Sequence, residues 1–159
     1  MSVAFTREED SESAAAALPD RPISPHPNLV TPEGMAQLEA ALSAAKTAYA
    51  AAQTQGGISS DRTAMARATR DLRYYSARRA SAQLIEPPHR PERVTFGVMV
   101  TVEREDGQAQ TYRIVGEDEA DPAHGSVSYI SPLAKAVLGK EVGDTAVVGA
   151  HELEVTSIA

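Results

Sequence analysis

The sequence has no cysteine and no tryptophan among its 159 residues, and only two phenylalanines. Without cysteine there is no disulfide, no thiolate zinc or iron–sulfur centre and no thiol nucleophile. Every apolar run falls well short of the roughly 18 residues that a membrane-spanning helix needs. The opening Met1-Ser2-Val3-Ala4-Phe5 also lacks the basic-then-apolar order of a secretory leader. The reading is a soluble, cytoplasmic protein with room for one ordinary domain or two very small ones. Basic charge is in short supply too: the net charge of -7 argues against simple DNA wrapping.

That charge is unevenly spread. Residues 1–31 carry five acids against two bases, 32–85 carry seven bases against four acids, and 92–159 carry twelve acids against five bases. A basic middle is thus flanked by acidic ends. The first thirty residues combine Glu8, Glu9, Asp10 and Glu12 with an alanine run and Pro19, Pro22, Pro25 and Pro27. So few large apolar side chains predict a flexible arm over 1–30, with docking of Ile23–Val30 on a partner as the alternative.

Thr31-Pro32-Glu33 reads as a helix start: Thr31 caps, Pro32 suits the first helical position and Glu33 complements the dipole. Met35, Leu38, Leu42, Ala45, Tyr49 and Ala52 then recur at alternating spacings of three and four, a heptad seam. Gly56-Gly57 breaks it, and Ser59, Ser60 or Asp61 can cap a second helix with Met65, Ala68, Leu72, Tyr75 and Ala82 inward. The pattern predicts an antiparallel coiled-coil hairpin over 31–86. Its second arm carries Arg62, Arg67, Arg70, Arg73, Arg78 and Arg79, a stripe suited to phosphate or an acidic protein surface.

Pro87, Pro88 and Pro91 mark a linker over 87–93. From 94 to 159 the period becomes two. Val98, Val100 and Val102 alternate with Met99, Thr101 and Glu103, Asp106-Gly107 turns the chain, and Thr111–Val115 returns. Ser126–Ile130 reads as a third strand, Ser131-Pro132 as the start of a short helix ending at Gly139, and Asp144–Val148 with Glu152–Ile158 as a last pair. The fold class is α+β: a helical hairpin, then a twisted antiparallel sheet with one short helix.

Most self-contained chemistry is excluded. Gly139-Lys140 lacks the remaining residues of a phosphate-binding loop, and no GxGxxG follows a strand. His26, His89, His124 and His151 are too scattered to pair as metal ligands. The acidic run Glu117, Asp118, Glu119 and Asp121 has neither the spacing nor the glycine of a calcium loop, which leaves a solvated loop or a contact for a basic partner.

Several segments together resemble the Gre transcript-cleavage factors of bacterial RNA polymerase. They are Thr31-Pro32-Glu33-Gly34, the hairpin, Ala82–Glu86, Phe96-Gly97, Thr111–Gly116, Asp118–Asp121, Ser131–Ala134 and Leu138-Gly139-Lys140, in order over residues 29–159. The resemblance implies a coiled coil that enters the polymerase secondary channel and an FKBP-like C-terminal domain that docks at its rim. It also implies Asp118, Glu119, Asp121, Ser131 and Pro132 as docking residues. Arg67, Arg70, Arg73, Arg78 and Arg79 would meet channel walls or the nascent RNA 3′ end. Family members place two tip acids near the polymerase Mg²⁺, where hard oxygen ligands help hold a second metal and a cleaving water. The factor itself is then no enzyme and carries no cofactor; the Mg²⁺ belongs to the polymerase.

The tip departs from that pattern. Where the family reads Gly-Asp-x-x-Glu-Asn, this chain has Gly57-Ile58-Ser59-Ser60-Asp61-Arg62. Ile58 cannot bind metal, and Asp61, a weak ligand at most, is one methylene shorter than Glu. Each arm is about one heptad shorter than the family's, a reach lower by roughly 10 Å. The expectation is a monomeric polymerase-binding elongation regulator with weak or no cleavage stimulation. Its alternatives are a true cleavage factor using Asp61, an FKBP-like prolyl isomerase, for whose aromatic-lined pocket this domain offers only Phe96, Tyr112 and Tyr129, and an interaction module for some other acidic partner.

Overall fold

The computed structural model describes residues 18–54 and 59–159, the side chains of 59–61 excepted. By packing, the described chain falls into a helical unit of residues 18–26 and 38–81 and a sheet unit of residues 27–37 and 82–159.

In the helical unit, α1 (Pro32–Thr54) and α2 (Ser59–Ser81) are 23 residues each, about 35 Å at the usual rise. The heptad seam forms as its spacing requires: Leu38, Ala45 and Ala52 are buried, and Met35, Leu42 and Tyr49 are half-buried. From α2, Ala68 is buried between half-buried Met65, Leu72 and Tyr75. The helices run antiparallel, since Glu39 near the start of α1 pairs with Arg79 near the end of α2 at 3.0 Å. Small side chains fill the seam poorly. A cavity of about 310 Å³ remains among Ala41, Ala44, Ala45, Ala48, Ala68, Asp71 and Tyr75. Residues 18–26, part of the expected mobile arm, make defined contacts with α2: Asp20 pairs with Arg73 and Arg21 with Asp71.

In the sheet unit, β1 (Leu29–Val30) and β2 (Gln83–Leu84) form a short parallel pair. It is extended by hydrogen bonds from Gln83 N to Asn28 O, 2.8 Å, and from Ile85 N to Val30 O, 2.9 Å. The main sheet has the order β5-β4-β3-β7-β6, with β3 (Met99–Arg104), β4 (Ala109–Val115), β5 (Ser126–Ser128), β6 (Thr145–Val148) and β7 (His151–Ile158). The β3–β4 hairpin turns at Asp106-Gly107, where Gly107 takes φ +84°, a left-handed conformation that side chains disfavour. β7 pairs antiparallel with β6, the last pair expected from the sequence, and also with β3. One pairing differs: β5 lies parallel to β4, so the sheet is mixed rather than wholly antiparallel. A 3₁₀ turn at Pro122–His124 redirects the chain so that β5 runs alongside β4 in the same direction.

Period-two alternation puts Val100 and Val102 inside, where they meet Val98, Ile114, Val127, Leu153 and Val155. The short helix α3 (Pro132–Val137) covers this face with Ala134 and Val137, both fully buried. Ser131 starts it as the sequence suggests, its Oγ accepting from Ala134 N at 3.2 Å.

Candidate functional site

Three groups of residues carry the functional expectations. The tip positions Gly57, Ile58, Ser59, Ser60 and Asp61 lie outside the residues whose side chains are described, while Arg62 is exposed at the start of α2. Among the described residues, no cluster of three histidine or carboxylate side chains is placed to hold a metal ion.

The second group is the arginine stripe of α2, which is less uniform than its sequence. Arg67 and Arg73 are exposed and Arg70 is half-buried, its Nε 3.8 Å from Asp71, an ion-pair distance too long for a hydrogen bond. Arg79 donates to Glu39 through both Nε and Nη2, at 3.2 and 3.0 Å. Arg78 is only 2% exposed. It is a buried side chain rather than part of a solvent-facing stripe, while Arg73 is exposed. Arg73 is itself held by Asp20 at 3.1 Å, both side chains being largely exposed.

The third group surrounds the first turn of α1. Thr31 is fully buried, and Gly34 N donates to its Oγ1 at 3.1 Å, the expected capping bond. In a capping box the residue three past the cap is a glutamate that reaches back to the cap's own N–H. Here that position is Gly34, and the glutamate comes from elsewhere. Glu119 Oε2 accepts from Thr31 N at 3.0 Å and Gly116 N at 3.2 Å, and Glu119 Oε1 accepts from the Thr31 hydroxyl. A Cβ on Gly34 would stand 2.1 Å from Glu119 Cδ, so the glycine makes room for the distant carboxylate. Gly116 is as constrained, since its Cβ would meet the Leu29 carbonyl oxygen at 2.2 Å. Glu119, expected at a docking surface, is therefore engaged within the fold as a structural staple.

Of the other docking candidates, Asp118 is half-buried. Asp121 is exposed and holds His124 Nδ1 at 2.7 Å. Ser131 is occupied as the α3 cap, and Pro132 is exposed. The aromatic trio does not converge on a pocket. Phe96 and Tyr129 pair edge to face at 5.8 Å, while Tyr112 lines a separate cavity with Val102, Arg104, Gln110, Leu133, Val148, His151 and Leu153. At about 180 Å³ that cavity is smaller than ligand pockets usually are.

Glu33 sits at the same helix start. Its carboxyl is held below the ordinary range by the hydrogen bond from its own backbone N–H, then by Arg113, whose Nη2 lies 3.1 Å away, and by Thr31; desolvation opposes them. A lowered carboxylate contributes stability that is complete above the unfolded-state value, about 4.3, and is lost as pH falls through the folded value. Glu33→Gln should thus be less stable than the parent at pH 7 by a few tenths of a kcal/mol, as for a screened surface pair. Urea midpoints compared across pH should show that gap closing below about pH 4.3.

Comparison with known proteins gives this geometry a family. The family model described as "Transcription elongation factor, GreA/GreB, C-term" matches residues 88–159. Transcription elongation factor GreA of Verminephrobacter eiseniae is 36% identical over 126 residues, covering 71% of this chain and 80% of that protein. The chain belongs to the GreA/GreB family. GreA of Anaeromyxobacter sp. (strain K) is 46% identical over 86 residues, 50% of this chain and 52% of the relative. Against several such GreA and GreB proteins the chain spans about half of their length. The crystal structure of GreA factor homolog 1 of Thermus thermophilus matches with TM-score 0.40 and 21% identity, over 84% of this chain and 99% of that one. Among the described residues no helix is long and apolar enough to cross a membrane.

Sequence reasoning missed two things in this site. The trans-capping role of Glu119 was hidden because its partner Thr31 lies 88 residues away. The pairing of Asp20 with Arg73, 53 residues apart, was hidden for the same reason. For the first, the one local signal was a capping threonine followed three residues on by glycine instead of glutamate.

Proposed function

We propose that this GreA/GreB-family chain binds RNA polymerase and regulates elongation through the secondary channel, with little or no stimulation of transcript cleavage. It is not itself an enzyme and brings no cofactor; the Mg²⁺ and the catalytic centre are the polymerase's. The observation that carries the reading is Ile58 at the place of the family's first tip acid, with Asp61 as the only acid left in Gly57–Arg62. An aliphatic side chain offers a hard cation no ligand, so one short carboxylate would have to do the work of two. The antiparallel hairpin supports insertion of the tip, and the exposed Arg67 and Arg73 suit acidic channel walls or an RNA 3′ segment. Asp118, Asp121 and Pro132 remain the docking contacts of the sheet unit in this reading, while Glu119 and Ser131 support the loops that present them.

The test is RNA 3′ cleavage in backtracked elongation complexes made with the host polymerase, with the chain alone and in competition with a two-acid cleavage factor. The expected result is no cleavage by the chain alone and slower cleavage by the competitor. Ile58→Asp should raise cleavage above the parent. Rapid cleavage by the parent that disappears in Asp61→Ala would overturn the reading in favour of a true cleavage factor.

A further inference from the structure

A face of α2 that reaches from the edge of its seam with α1 to exposed Arg73 is already occupied by the chain's own residues. Asp20 Oδ1 lies 3.1 Å from Arg73 Nη1, and Arg21 Nη1 lies 3.6 Å from Asp71 Oδ1. The Arg21 guanidinium carbon stands 3.8 Å from the Tyr74 ring centroid and 5.2 Å from that of Tyr75, and the two rings meet edge to face. Consecutive residues of opposite charge therefore meet two opposite charges on the helix, and the second is also stacked on an aromatic face. A single ion pair could be incidental; a matched pair of charges with a ring beneath one of them fixes a register. Pro19 and Pro22 flank the dipeptide, and prolines keep such a segment extended, so little conformational freedom is lost when it docks.

These contacts are individually weak. The Asp20 and Arg73 side chains are 63% and 66% exposed, and solvated ion pairs of this kind are readily screened. Cation–π contacts at partly exposed sites add modestly. Such an attachment holds in the free protein and gives way to a ligand that offers Arg73 a better anion. A phosphate of a single-stranded nucleic acid is that ligand, because it pairs bidentately with a guanidinium while its base can stack on the ring Arg21 vacates.

We infer that residues 19–22 form a cis-acting strap that masks the Arg73–Tyr74 face of α2 and is displaced when a phosphate-bearing single strand binds there. The masking rests on the proposed use of the basic face, whereas the strap itself does not. With the strap docked, the apparent affinity for the strand falls by the fraction of molecules in which the face is open.

Two measurements on the full chain test this. In NMR spectra at low salt, the Arg21 side-chain protons should be shifted upfield by the Tyr74 ring, and Tyr74→Leu or 0.5 M NaCl should return them to random-coil positions. Binding of a fluorescein-labelled oligouridylate 12-mer should tighten about three- to tenfold in Asp20→Ala/Arg21→Ala, tenfold being about 1.4 kcal/mol. Arg73→Ala should weaken binding and abolish the difference between parent and double variant. Random-coil Arg21 shifts at low salt would overturn the strap, and equal affinity of parent and double variant would overturn the masking. A chain that passes both tests but does not compete at the polymerase would overturn the functional reading alone.

Discussion

Gly116→Ala is expected to destabilise the sheet unit by about 3 kcal/mol, the upper part of the range for overpacking a close-packed site. The added Cβ would stand 2.2 Å from the Leu29 carbonyl oxygen, and the obstacle is backbone, not the end of a flexible side chain. Relief requires β1 to move, but Val30 is buried and β1 is tied to β2 through Leu29↔Gln83 and Val30↔Leu84. Urea unfolding should show a lower midpoint at unchanged slope. A midpoint within error of the parent would mean that the approach of Leu29 to Gly116 is not needed for folding.

The second large effect is expected at Glu119. Alanine there removes the acceptor for Thr31 N, Gly116 N and the Thr31 hydroxyl together. Thr31 is fully buried beneath the half-buried Glu119, and three donors lose their acceptor at once, so the loss should be roughly 3 kcal/mol. Glu119→Gln keeps one acceptor oxygen and turns an amide towards the donors, so it should fall between parent and alanine. The arrangement also predicts a specific coupling. Gly34→Ala alone should be destabilising because its Cβ meets Glu119 Cδ at 2.1 Å, whereas in the Glu119→Ala background that obstacle is gone. A double-mutant cycle should therefore show Gly34→Ala costing clearly less in the second background. Simple additivity would show that Gly34 is not making room for Glu119.

Which parts of this structure could be read from sequence follows from how far apart the interacting residues lie. The seam through Leu38, Ala45 and Ala52, the Thr31 and Ser131 caps and the Asp106-Gly107 turn are each fixed by neighbours within a few residues, and each forms where its pattern placed it. The direction of β5 was not legible, because alternation says which face a residue buries but not which strand lies beside it. The burial of Arg78 was not legible either: its charge places it in the contact stripe, whereas what covers a helix position depends on tertiary contacts that no single-helix period contains. The acidic run at 117–121 shows the same limit. Glu119 and Asp121 look alike in a charge count, yet one carboxylate caps a helix from across the chain and the other is exposed beside His124.

The borrowed cap also has a consequence in time. Thr31 is synthesised 88 residues before the carboxylate that completes its first turn, an interval of roughly 4–18 s at usual elongation rates. Until Glu119 has emerged and β4 has been placed, the N–H of Thr31 lacks its acceptor, and the first turn of α1 is held only by its local bonds. The heptad pairing of α1 with α2 needs nothing beyond Ser81 and can form earlier. The hairpin should thus zip from its own seam while its root stays loose. The root then locks only when the last third of the chain arrives, which makes completion of the sheet the step that sets the helix origin.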